Sequence, residues 1–196
     1  MEILTATRVE QLKKILLQNE DIQKILQRTP ELGMPNWYLG AGGVAQTVWN
    51  VLHGYKPQQG IKDYDLVYYD ARDISCEGED EFIQKGEELF KDVSAPVEIR
   101  NQARVHLWYE KHFGNAISPY QSAEDAIRTW PTTATCIGIR YTNEKLLVCA
   151  PYGLDDLFGM VVRPNKVKVR KAVYESKVDR WAKAWPKLHI IPWEEE

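Results

Sequence analysis

Asp63 and Asp65 stand two residues apart, and Glu98 follows at a distance along the chain. The aspartates open Tyr64–Tyr69, a run rich in aromatic and β-branched residues that predicts a strand. Alternation along a strand puts both carboxylates on one face, roughly 7 Å apart. Carboxylates held that close repel each other unless a cation sits between them. Pro96–Arg100 predicts another strand, in which Glu98 points away from Val97 and Ile99. Laid beside the first strand, Glu98 would complete a three-carboxylate cluster. Arg100, on the same face, would neutralise one carboxylate or grip a phosphate with its fork.

Upstream lies Gly40-Ala41-Gly42-Gly43, between a predicted strand at Trp37–Leu39 and a helix expected from about Val44. Val48, Trp49 and Leu52 form that helix's apolar stripe. Glycines let backbone approach a ligand closely, and the free N–H groups of a helix start favour phosphate. Each part alone is ordinary. The glycines can simply turn the chain, Asp63 can cap the turn after Gly60, and Glu98 and Arg100 can be a solvated pair on an edge strand. A phosphate cradle followed by paired carboxylates points instead to metal-assisted chemistry on a nucleotide. On that reading Gly43→Val should weaken nucleotide binding with little loss of stability.

The remaining chain must position these groups. Its 196 residues suffice for one domain. We expect a helical extension over 1–35, a core over 36–115 and an α/β part over 116–196. Helices are expected from Arg8 within a Thr7–Glu10 capping box, with a break at Asn19-Glu20-Asp21, and over Glu79–Lys91, Ser122–Trp130 and Lys177–Trp185. A hairpin should turn across Thr142–Lys145. Tyr152–Phe158 reads as a turn into a short helix whose Asp155 and Asp156 complement the helix dipole. Lys166–Lys171 reads as a solvated basic strand. Arg104, His106 and Trp108 are candidates to line the site.

The net charge of −3 offers no global pull toward nucleic acid or membrane, so a small acceptor is favoured over a long polynucleotide. Cys76, Cys136 and Cys149 are widely spaced. That argues against a disulfide framework or zinc site and for a reducing, cytoplasmic setting. No apolar run approaches the roughly 20 residues of a membrane span.

The order glycine pair, Asp-x-Asp, third carboxylate resembles the DNA polymerase β-like nucleotidyltransferase superfamily. A closer resemblance is to a bacterial group known as nucleotidyltransferase family proteins. It is carried by Gly40–Gly43, Asp63–Asp65, Val97–Tyr109, Ala150–Phe158 and Arg180–Pro186. The stretch 44–62 is longer than the superfamily usually has between glycines and aspartates. The resemblance implies a mixed α/β (α+β) fold with a short mixed sheet flanked by helices. It also implies transfer of a nucleoside monophosphate from an NTP to an acceptor, which would be a small molecule, protein or RNA. In that scheme Gly42 and Gly43 hold the triphosphate. Asp63 and Asp65 bind two Mg²⁺ ions, with Mn²⁺ as a substitute. Glu98 holds the acceptor-side metal, and Arg100 or Arg104 offsets charge on the transferring phosphate. The competing readings are a nucleotide-binding regulatory module and a metal-dependent phosphohydrolase.

Overall fold

The computed structural model describes residues 6–142 and 145–194. The N-terminal part is a helix pair, α1 (Ala6–Leu16) and α2 (Glu20–Arg28). Since α1 is already under way at Ala6, Thr7 lies inside it and does not cap it. Asn19 separates the two, and its side chain accepts from the backbone N–H groups of Asp21 and Ile22, a true N-cap. Its amide also donates to Thr47 Oγ1 (2.8 Å) and Tyr64 Oη (3.1 Å). One buried residue thereby ties the helix pair to the tyrosine that separates the two aspartates.

A five-stranded mixed sheet follows, in the order β3-β2-β1-β4-β5. Its strands are β1 (Tyr38–Gly40), β2 (Tyr64–Tyr68), β3 (Val97–Asn101), β4 (Gly138–Thr142) and β5 (Lys145–Cys149). Between β1 and β2 runs α3 (Ala41–His53). The parallel pair β2–β3 is joined by α4 (Cys76–Leu89), the crossover that parallel strands require. Both the β1–β2 and β4–β5 pairs are antiparallel. The expected hairpin is therefore present, but Asn143 and Glu144 of its turn lie outside the described residues.

One sheet face buries Leu39, Leu66, Ile99 and Ile139 against Leu12, Ile25, Val44, Val48 and Trp49 of α1, α2 and α3. The opposite face carries Tyr38 and Val67, covered by Ala123 and Ile127 of α6 (Ala123–Ile127). A short helix, α5 (His106–Phe113), precedes α6. Then come α7 (Asp155–Phe158), β6 (Val161–Val162), α8 (Lys171–Ala184) and β7 (His189–Ile190), with β6 and β7 paired in a small second sheet. Asp156 accepts from Thr133 Oγ1 (2.6 Å) and pairs with Arg163 (3.1 Å), so it serves as a strut.

Three further expectations, the start of α3, the strand at Lys166–Lys171 and the start of α8, are corrected. Helix α3 begins at Ala41, three residues before Val44, and takes both glycines into its first turn. Lys166–Lys171 is not a strand; Lys171 opens α8, six residues ahead of the expected start at Lys177. Among the described residues no helix is long and apolar enough to cross a membrane.

Candidate active site

The β2–β3 register sets Asp65 directly beside Glu98. In β1, Gly40 lies across from Asp65 on the other side and is itself paired with Gly138 of β4. Glu98, Asp65, Gly40 and Gly138 thus form one row on the face opposite Leu66 and Ile99, because paired residues of adjacent strands point the same way. Asp63 stands just before β2. Tyr64 between the aspartates turns into the core, where its hydroxyl donates to Asp21 Oδ2 (3.3 Å). The buried tyrosine fixes the direction of both carboxylates.

Asp65 and Glu98 of this row floor a cleft of about 430 Å³, within the size range of small-molecule sites, while Gly40 lies under Trp130 and Gly138 under Ile127. Ala41, Gly42, Gln46, Asp63, Asp65, Glu98 and Arg100 line one side; Trp108, Tyr109 and Phe113 of α5 supply an aromatic side; Lys177, Arg180 and Trp181 of α8 complete it. The cleft therefore joins a polar floor to an aromatic wall. A carboxylate row with opposing cations suits a phosphorylated substrate, and flat rings suit a base.

Asp65 is the most perturbed acid of the site. Burial at the cleft floor, first, and then the charges of Asp63 and Glu98 push its carboxyl up from 3.8 to about 7. Lys177 and Arg100 pull it back only in part. Among the described residues neither Asp63 nor Asp65 has a hydrogen-bond or close ion-pair partner. Two unpartnered carboxylates are the hard oxygen donors that Mg²⁺ or Mn²⁺ takes. In chemistry, then, the aspartates fit a divalent cation. The closed three-carboxylate cluster is not formed: among the described residues no three acidic, His or Cys side chains stand close enough together to hold an ion. Glu98 is half exposed and lies 4.0 Å from Arg100.

Gly42 lines the cleft, and a Cβ there would meet the amide nitrogen of Gln46 at 2.9 Å. Gly43 faces the other way. A Cβ on it would sit 2.7 Å from Tyr64 Cδ1, so its bareness serves packing and Gly43→Val cannot leave stability intact. Arg104 is also corrected. Its guanidinium is buried on Glu79 of α4 and donates to Ile74 O (3.3 Å), and it does not line the cleft. His106 does not line the cleft either. Gln46, Lys177 and Arg180 were not singled out by spacing. The signal for the last two is the helical period of Val173, Lys177, Arg180 and Trp181, which share one face of α8.

A glycine-started helix after β1, a carboxylate pair at the start of β2 and a third acid on β3 are the arrangement of a nucleotidyl-transfer fold. The chain belongs to the nucleotidyltransferase family: a family model described as nucleotidyltransferase matches residues 27–190. It is also similar to a solved NMR structure described as revealing a CCA-adding enzyme head domain. That match covers 94% of this chain and 96% of the other, with a TM-score of 0.77 and 25% identity. No match was found among curated proteins. Membership implies a nucleoside triphosphate and an acceptor as substrates.

Proposed function

We propose that the protein transfers a nucleoside monophosphate from an NTP to an acceptor hydroxyl and releases pyrophosphate. The observation that carries this reading is the row of Asp65 and Glu98 in register on parallel strands, with Asp63 alongside and Asp65 left unpartnered at the floor of the cleft. Asp63 and Asp65 would hold Mg²⁺ or Mn²⁺, with Glu98 joining them from the neighbouring strand. The bound ion would supply positive charge to the phosphate oxygens.

The chain's own residues do the rest. The uncapped first turn of α3, at Gly42, presents backbone N–H groups to phosphate. Arg100 offsets negative charge on the transferring group, its guanidinium being held by a 2.8 Å bond to Ile99 O. Trp108, Tyr109 and Phe113 offer flat faces to a base. The acceptor oxygen attacks the α-phosphorus, the bond to the bridging oxygen of the β-phosphate breaks, and Glu98 at the open edge takes the acceptor's proton. RNA is one acceptor class suggested by the similarity to the CCA-adding head domain; the net charge of −3 favours a small one.

A second reading, a nucleotide-binding module without turnover, draws on the absence among the described residues of a closed three-ligand cluster. Incubation with each labelled NTP, Mg²⁺ or Mn²⁺ and candidate acceptors separates the readings. Pyrophosphate with a labelled acceptor supports transfer, free monophosphate means hydrolysis, and binding alone means a regulatory module.

A further inference from the structure

Helix α8 is held against α3 at matching heights. Trp181 meets Trp49 edge-on at 5.4 Å, and Trp185 lies 5.8 Å from Trp49 and donates to Asn50 Oδ1 (2.7 Å). Beyond the end of α8, Lys187 N–H donates to His53 at the end of α3 (3.1 Å). Later residues of one helix thus meet later residues of the other, so the two run in the same direction. Lys177, one turn before Trp181, is thereby delivered toward the start of α3, and Arg180 follows on the same face. Both line the cleft, and among the described residues neither has a hydrogen bond or ion pair.

A separate observation comes from α3 itself. Gln46 is only 6% exposed, lines the same cleft and lies over Gly42. Among the described residues its amide has no hydrogen-bond partner. The amide opens to the cleft and is turned toward Gly42 in the uncapped first turn of the helix, where it is free to bond a ligand. Two unpaired cations, an unpartnered amide and free helix N–H groups converge on the same end of the cleft. Together they make an anion site.

We infer that Lys177, Arg180 and Gln46 form the subsite for the pyrophosphate end of the donor, with α8 supplying the charge and α3 the hydrogen-bond donors. The inference rests on the nucleotidyl-transfer reading for the identity of the ligand, though not for its charge. Lys177 stands near enough to Asp65 to pull its carboxyl down in part, so terminal phosphates held by this pair lie next to the carboxylate row that faces the α-phosphate.

Calorimetry at saturating Mg²⁺ tests it, with pyrophosphate, tripolyphosphate and a nucleoside monophosphate as ligands. Lys177→Met and Arg180→Met should each weaken the two polyphosphates roughly tenfold or more and leave the monophosphate unchanged. Lys183→Met, an exposed α8 lysine outside the cleft, should alter none of them. Neither Lys177 nor Arg180 is buried, and circular dichroism checks that the variants fold. Wild-type polyphosphate affinity in both variants would overturn the subsite, as would a monophosphate affinity that falls equally. The two readings fail separately. Polyphosphate held by this pair in a protein that binds no NTP leaves the subsite and sinks the transferase. NTP turnover with the variants unimpaired toward pyrophosphate does the reverse. A wild type that binds neither ligand sinks both.

Discussion

Replacing Asp65 by Asn keeps the size of the side chain and deletes the charge that the cleft floor resists. Burial and the neighbouring Asp63 raise this carboxyl from 3.8 to about 7. That is about three pH units, and at roughly 1.36 kcal/mol each it amounts to about 4 kcal/mol, an upper limit because the cleft admits water. The folded chain holds the Asp65 proton more tightly than the unfolded chain does. Its contribution to stability is therefore complete below about pH 4, declines between pH 4 and 7, and is gone above the folded value. Asp65→Asn does not titrate, so its stability lacks this decline. Near pH 4 the two proteins should melt together. At pH 8, without metal, the variant should melt higher, by at most about 8–16 °C at roughly 2–4 °C per kcal/mol for a chain of this length. Mg²⁺ should restore the wild type, by about 2.7 kcal/mol at a hundredfold excess over its dissociation constant, and should do little for the variant. The assay is a thermal melt of both proteins from pH 4 to 8, with and without Mg²⁺. Parallel curves across that range, or equal Mg²⁺ stabilisation of both proteins, would refute the reasoning, because an aspartate satisfied by backbone donors behaves that way. The trade of stability for a charged site is common where function demands it.

Three further substitutions probe the supports of the site. Gly43→Val should destabilise the protein by about 1–3 kcal/mol through overpacking on Tyr64; a chemical denaturation midpoint equal to wild type would contradict the packing. Arg104→Met removes the countercharge of the buried Glu79 carboxylate, which keeps the Asn101 N–H, and should cost about 3 kcal/mol, with NTP affinity of the folded fraction unchanged; lost affinity in a stable protein would return Arg104 to the site. Ala41 takes a φ of 51° between β1 and α3, a left-handed conformation that strains a Cβ. Ala41→Gly should therefore raise stability by up to about 1 kcal/mol, and a lower melting temperature would show that the junction is unstrained.

What could be read from spacing is the part of the site built by strands. Asp63, Asp65, Glu98 and Arg100 belong to segments whose alternation is visible residue by residue, and pairing two such segments fixes a face without further information. Arg104 escaped that logic because the 3₁₀ turn Gln102–Arg104 follows β3 directly and breaks the alternation, sending the guanidinium to α4. The start of α3 was misplaced for a related reason. Its N-cap is Gly40, which has no side chain to cap with, and its first turn is glycine-rich, so it reads as loop although the backbone is already helical. Helix α8 has no capping side chain either, since Arg170 occupies that position without such a bond, and a basic run beforehand disguises its onset. Even with α8 correctly bounded, nothing local says that Lys177 and Arg180 face Asp65. That follows only from Trp181 and Trp185 packing on Trp49, more than a hundred residues earlier in the chain. Residues that repel one another could be found by their spacing along a strand. The cations that answer them arrive by tertiary packing, and only the folded chain shows where they stand.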